Sequence, residues 1–177
     1  MAEPPAASVG LSAAIEKLVA ARPTPELAEK LMLYGRFVGS WRIESVNYDE
    51  HGQRRRERTG EWHFAWILGG RGVQDVLYAA GSPPEDFGTT LRCYDHLKDV
   101  WHVSWMQPAD GEFVHLIGRE TNGQIVQIGT GPDPSRQERW TFSEITANSF
   151  VWQGEVSRDG GQTWRLMQEM QATRTNG

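Results

Sequence analysis

Phe37-Val38-Gly39-Ser40-Trp41-Arg42-Ile43-Glu44-Ser45-Val46-Asn47-Tyr48 is the stretch on which the fold turns. Trp41 and Ile43 fall on one face and Arg42 and Glu44 on the other, the period of two that a half-buried strand requires. From Phe37 onward this period persists. It marks about ten strand-like runs: 38–48, 57–67, 72–80, 88–95, 100–107, 112–120, 124–130, 137–144, 148–157 and 163–174. Asp49–Gly52, Asn122–Gly123 and Asp159–Gly161 carry hairpin chemistry between runs, and Asp95–Asp99 is a polar reversal. Gly81–Pro84 and Gly131–Pro134 read as looser loops. No helix-length segment separates the runs, which excludes a parallel βαβ architecture. Sequential hairpins in this number close most simply into an all-β, antiparallel up-and-down barrel, because closure removes exposed edges. A two-sheet sandwich has the same periodicity and stays open as an alternative.

Upstream of the barrel domain, 37–174, the pattern is helical. Residues 1–10 read as a flexible tail and 11–36 as N-terminal helices. Ser12 is placed to cap a helix to Ala21, with Leu11, Ile15, Leu18 and Val19 on one stripe. Thr24 suits a second N-cap, Pro25 the first helical position, and Glu26 the helix dipole. Leu27, Leu31 and Tyr34 then recur at helical spacing, and Gly35 can end the helix. Such a segment is expected to pack on the barrel as a lid or plug.

At 177 residues the chain is long enough for one well-buried core. Its 8 Trp and 19 Gly favour pleated, half-buried surfaces broken by many tight reversals. The net charge of −5 argues against a nucleic-acid partner, since such binders present a basic field. The cluster Arg54, Arg55, Arg56 and Arg58 is interrupted by Glu57 and reads as a solvated hairpin end. The single Cys93 excludes an internal disulfide and a cysteine-rich zinc site. Its apolar surroundings suggest a small core residue. Residues 1–22 show no basic segment followed by a long apolar one, and no run approaches the roughly 18 apolar residues of a membrane span. The expectation is a cytoplasmic protein without a membrane partner, and a homodimer is left open.

Gly39-Ser40-Trp41 on the first strand, after a short helix, resembles the calycin superfamily, in which the Trp closes one barrel end. Further on, Trp66-Ile67-Leu68-Gly69-Gly70-Arg71, Tyr94-Asp95, Val100-Trp101 and Trp105 are similar to a bacterial family of lipocalin-like barrels known only as a domain of unknown function. The likeness runs from Leu31 to Arg174. It implies a lipocalin-like fold and brings no reaction with it. Heme-binding nitrobindins share the general architecture, with a first strand similar to Gly-x-Trp-x-Gly-x-Gly. This chain continues Arg42-Ile43-Glu44, and no heme ligand is assigned. Ser157-x-Asp159-x-Gly161-x-Thr163-Trp164 resembles an Asp-box hairpin. A single copy reads as a turn stabiliser, because a propeller needs repeated blades.

Strand phase nominates the interior. Trp41 and Ile43 share a face; so do Trp62, Phe64 and Trp66; Trp101, Val103 and Trp105; Trp140 and Phe142; and Phe150 and Trp152. These aromatics either fill a small barrel or wall a pocket. Trp66, Trp105, Trp140 and Trp152 are the candidate walls of a ligand cavity. Asp75 falls between Val73 and Leu77, and His115 between Phe113 and Ile117, with Arg119 next in phase. An interior charge must be paired, so Asp75, His115 and Arg119 are candidates to pair across the barrel and to touch a ligand. A carboxylate–imidazole pair can also move a proton. The opposite phase would turn these groups to water. His63 and His102 alternate with Trp and are expected outside, and His51 and His96 sit in turns. No spacing fits a metal site, and Gly69-Gly70-Arg71-Gly72 lacks the Lys-Ser/Thr pair of a phosphate loop and reads as a bulge or corner. Neither a metal nor a cofactor is assigned. Three functional readings remain: a barrel binding a small hydrophobic or aromatic molecule, a cofactor-free lyase or isomerase using an Asp75–His115 acid–base pair, and a filled barrel that serves structure or a partner.

Overall fold

Closure of the sheet is the first finding. The structure, a computed structural model describing residues 7–175, contains eleven strands. A two-residue strand, β1 (Val19–Ala20), precedes the long run. The next five are β2 (Gly39–Tyr48), β3 (Arg54–Ile67), β4 (Gly72–Ala79), β5 (Gly88–Asp95) and β6 (Val100–Gln107). The last five are β7 (Glu112–Thr121), β8 (Gln124–Thr130), β9 (Gln137–Ser143), β10 (Ser149–Ser157) and β11 (Arg165–Arg174). From β2 to β11 each strand pairs antiparallel with the next, and β11 returns to β2. The result is a ten-stranded up-and-down barrel; the sandwich is excluded. Strand bounds match the sequence reading to within a few residues, because the turns obey local rules. Asn122 and Gly123 both take positive φ, as the tight β7–β8 hairpin requires.

The N-terminal segment differs more from expectation. Residues 1–6 of the expected tail lie outside the described residues. Helix α1 covers Ala7–Leu18, starting before Ser12 and stopping short of Ala21. Val19 and Ala20 instead pair with Ile67 and Trp66. Thr24 does not cap the next helix: its hydroxyl bonds the Glu26 carboxylate, and a 3-10 turn, Pro25–Leu27, leads into α2 (Ala28–Gly35). Gly35 is the last residue of α2 but is no left-handed cap; close packing is what requires glycine there. A Cβ there would lie 2.3 Å from the indole of Trp66.

Helix α2 closes one end of the barrel. Leu31 and Tyr34 are fully buried and, with Phe37, Trp41, Phe142 and Phe150, form a continuous aromatic-rich plug. Phe37 lies 4.9 Å from Phe142 and 4.8 Å from Phe150, centroid to centroid. Trp41 donates its indole N–H to the Phe37 carbonyl at 2.7 Å. The guanidinium of Arg174 lies 4.1 Å from the Trp41 ring and donates to the carbonyls of Val38, Arg36 and Ala147. Arg174 thus fastens β11 to the segment entering β2. Gly39 has φ 124°, and a Cβ there would meet Arg174 Nη1 at 2.7 Å, so both glycine and tryptophan of Gly39-Ser40-Trp41 have a physical role.

Two smaller expectations are corrected or met. Cys93 lies on the outer phase of β5, half-buried, and is not a core residue; burial raises its thiol pKa. The hairpin 157–164 is a turn built by Asp159. Its carboxylate accepts from the N–H groups of Gln162 and Thr163 at 2.9 Å, from the Thr163 hydroxyl at 2.6 Å and from the Ser157 hydroxyl at 2.7 Å. Trp164 donates to Gly161 O at 3.0 Å and carries the Arg139 guanidinium 4.3 Å from its ring.

Candidate functional site

The end of the barrel opposite α2 is open. Its inner face is formed where β3, β6, β9 and β10 each present an indole: Trp62, Trp105, Trp140 and Trp152. They surround a cavity of about 970 Å³, which a mouth of loops joins to solvent. Neighbouring indoles meet edge to face. Trp62 and Trp152 are 6.5 Å apart, Trp152 and Trp140 5.5 Å, and Trp140 and Trp105 6.4 Å. That geometry suits aromatic pairs and leaves ring faces available to the space between them. Ile43, Leu77 and Met170 add to the apolar lining. Glycine makes room where the rings are tightest: a Cβ at Gly88 would fall 1.9 Å from the Trp105 ring, and one at Gly154 2.6 Å from the Trp152 ring.

Polar groups sit above and below this belt. Ser45, Asn47, Gln107 and Gln168 line the upper wall. Arg56, Glu57, Arg58, Asp86, Asp110 and Glu112 line the mouth. The basic hairpin of the sequence is therefore solvated, as expected, yet it forms part of the entrance. Glu112 accepts the Trp105 indole N–H at 3.2 Å, which holds that ring against the wall. Nearby, Glu138 is buried under an ion pair with Arg136 (2.6 Å), and burial raises its carboxyl pKa despite that partner.

The floor is charged. Asp75 and Arg92, each 1% exposed, form a buried ion pair. Asp75 Oδ1 also accepts the Thr90 N–H at 2.8 Å. The guanidinium carbon lies 5.3, 5.5 and 5.8 Å from the rings of Tyr34, Phe64 and Phe142, so the cation caps the aromatic plug of the closed end. Burial drives the Tyr34 phenol far above its ordinary pKa, with Arg92 opposing, so Tyr34 stays neutral. Thr90 and Arg92 line the cavity from below.

The nominated residues part company here. Trp105, Trp140 and Trp152 share the cavity wall. Asp75 points inward but lies beneath the floor, bound to Arg92 rather than to His115 or Arg119. Trp66 is at the closed end, its ring against Gly35. His115 and Arg119 face outward and are exposed; His115 Nδ1 meets the Ser104 hydroxyl at 3.1 Å. The expected Asp75–His115–Arg119 constellation does not form, and with it goes the Asp75–His115 acid–base pair. The phase of β7 misleads because its inner face carries Val114, Leu116 and Gly118, while Phe113 is 49% exposed on the outside. Gly118 is small because the Tyr34 hydroxyl presses there; a Cβ would come within 2.5 Å of it.

Sequence reading missed Arg92 altogether and passed over Trp62. On β5, Leu91 and Cys93 carry the apolar phase, and they turn outward. The available signal was a buried Asp75, which demands a cation on a neighbouring strand; β4 pairs Asp75 with Thr90, two residues from Arg92. His63 lies on the outer side, as expected, between Ser40 (2.9 Å), Glu61 (2.9 Å) and Tyr78 (3.0 Å). Among the described residues no three of His, Cys, Asp and Glu converge to hold a metal ion, and no helix is long and apolar enough to cross a membrane.

Fold and cavity together define a lipocalin-like barrel with one plugged and one open end. Solved structures agree on the fold. The S-type phycobiliprotein lyase CPES from Guillardia theta is similar at TM-score 0.56 and 10% identity, over 88% of this chain and 99% of that one. Rv2717c from M. tuberculosis is similar at TM-score 0.58 and 14% identity, over 87% and 99%. EF1p2_mFAP2b bound to DFHBI reaches only 0.38 at 13% identity, over 82% and 99%, and adds nothing to the fold assignment. No family model matches the sequence, and no curated protein matches it. The likeness to a domain of unknown function therefore rests on the quoted residues alone.

Proposed function

We propose that this chain is a small-molecule binding barrel whose open end takes up a planar, largely apolar ligand between Trp62, Trp105, Trp140 and Trp152. One observation carries the reading. The same barrel is filled solid at its closed end and keeps a four-indole cavity of about 970 Å³ at the other. Ligand sites fall in this size range and combine apolar walls with a few placed polar groups. A purely structural barrel has no need for the empty half. The mouth is more polar than the apolar pocket read from the sequence, so the ligand is amphipathic, with its polar edge towards solvent or towards the floor. That a barrel of this fold serves as a phycobiliprotein lyase in CPES is fold-level analogy and brings no residue role here.

Titration with 2-isopropylnaphthalene tests the reading. The hydrocarbon quenches tryptophan fluorescence saturably, and Trp140→Ala weakens binding by about tenfold, the scale of one lost aromatic contact. His115→Ala, on the outer wall, leaves affinity unchanged. Quenching that never saturates, or that ignores Trp140→Ala, overturns the proposal.

A further inference from the structure

Among the described residues, the buried polar atoms without a partner are Trp62 Nε1 and Arg92 Nε, on cavity-lining residues, and Tyr34 Oη and the Gln127 amide, on residues outside the cavity lining. Arg92 and Trp62 both line the cavity, and they are 1% and 2% exposed. Arg92 Nε and Trp62 Nε1 have no hydrogen-bond partner among the described residues. Buried polar groups in folded proteins are almost always bonded, so each orphan calls for an explanation. Arg92 reaches Asp75 through Nη1, which leaves the Nε edge of the guanidinium free. Trp105, by contrast, uses its indole N–H on Glu112.

Charge narrows what those donors can meet. The positive charge of Arg92 is matched by Asp75, so the floor offers hydrogen bonds without net charge. The groups lining the cavity and its mouth comprise three cations (Arg56, Arg58, Arg92) and four carboxylates (Glu57, Asp86, Asp110, Glu112). An anion would have to pass that acidic rim, lose its water, and settle close to the Asp75 carboxylate. A neutral oxygen faces none of these costs and still accepts both bonds.

We propose that the cavity selects an uncharged, planar conjugated molecule bearing a terminal carbonyl, whose oxygen accepts hydrogen bonds from Arg92 and Trp62 at the floor. This deepens the binding proposal and rests on it. The indole faces hold the flat body of the ligand, and the floor fixes which end enters first. Specificity then comes from the floor: an analogue lacking the oxygen leaves two buried donors unpaired, and a site built around a hydrogen bond rejects such analogues.

Three naphthalenes of nearly one shape separate the outcomes by calorimetry: 2-acetylnaphthalene, 2-isopropylnaphthalene and 2-naphthoate. The ketone binds roughly five- to tenfold tighter than the hydrocarbon, the scale of one net hydrogen bond, and tighter than the carboxylate. Trp62→Phe keeps a ring and removes the N–H. It lowers the ketone preference, read as the ratio of ketone to hydrocarbon affinity within the same variant, several-fold, with far-UV circular dichroism confirming the fold. Equal affinity for ketone and hydrocarbon, or a ketone preference untouched by Trp62→Phe, overturns the floor assignment while the binding barrel stands. Tighter 2-naphthoate overturns the choice of a neutral acceptor. Failure of all three probes to bind overturns this inference and the binding proposal together.

Discussion

The two ends of the barrel are made of the same material and put it to opposite uses. At the closed end Phe37, Phe142 and Phe150 pack with centroids within 5.5 Å of one another, and Trp41 lies against Phe37 and Phe150, fastened by Phe37 O and Arg174. At the open end Trp62, Trp152, Trp140 and Trp105 run around the wall and touch only by their edges. What separates the two is the presence of something in the middle. Helix α2 supplies Leu31, Tyr34 and, just beyond it, Phe37 to fill the first end; nothing among the described residues plugs the second. Aromatic content therefore does not decide between a core and a pocket. Supply of a plug does.

Removing one indole from each end tests this contrast most strongly. Trp41→Ala should cost about 3–5 kcal/mol, as large aromatic truncations in packed cores do, measured by urea denaturation. Trp140→Ala should cost under about 2 kcal/mol, because its ring already borders open space. Equal losses at both positions would mean that the open end is packed as tightly as the closed one.

The boundary between the two ends is the Arg92–Asp75 pair, and breaking it sharpens the picture. Arg92→Leu leaves the Asp75 carboxylate buried without its partner and should destabilise by about 3–5 kcal/mol. The double variant Arg92→Leu/Asp75→Leu should recover much of that loss, because no uncompensated charge remains. A single variant as stable as the double would show that Asp75 finds water, and hence that the floor is leaky.

The smallest effect belongs to the rim. Asp159 holds the β10–β11 hairpin at the open end. The hydroxyl and N–H of Thr163, followed by the Ser157 hydroxyl, hold its carboxyl well below the usual range. A depressed carboxyl contributes stability that is complete above its unfolded value, near 3.8, and is lost as pH falls through the folded value. Asp159→Asn should therefore lower Tm slightly at neutral pH and flatten the acid-side decline. An unchanged Tm–pH profile would mean that the hairpin does not depend on this charge.

Much of the fold was legible because it is written locally. Turn residues such as Asn122-Gly123 fix the hairpins, and the period of two runs through every strand, so strand order followed without knowledge of contacts. The plug was legible too, from Leu31 and Tyr34. The candidate cavity was legible by half. Trp105, Trp140 and Trp152 were read as inward-facing because a bulky residue on a barrel's inner face has only the interior to occupy. His115 and Arg119 were misplaced because Phe113 and Ile117 lend apolar character to the wrong face of β7, while Gly118 on the right face is small to accommodate Tyr34. Arg92 was missed because a buried cation has no local signature: its reason lies on the next strand. Side-chain pairing across strands is tertiary information, and one strand's alternation cannot express it.

The short strand β1 has an importance its length conceals. β3 outruns β2: their pairing ends at Gly39 with Phe64, and Trp66 and Ile67 continue beyond it. Val19 and Ala20 take up that overhang, and the segment is latched by the Thr24 N–H on Gly70 O at 3.1 Å. Gly70 has no room for a side chain, since a Cβ would lie 2.2 Å from Arg22 O. The N-terminal arm thus works as a gasket over a raw seam at the closed end of the wall. Proteolytic trimming through residue 24 would bare a strip of strand with an indole beside it, and a bare strand recruits another. Loss of the arm would then show itself as oligomers and turbidity in stored protein, well before any loss of the barrel.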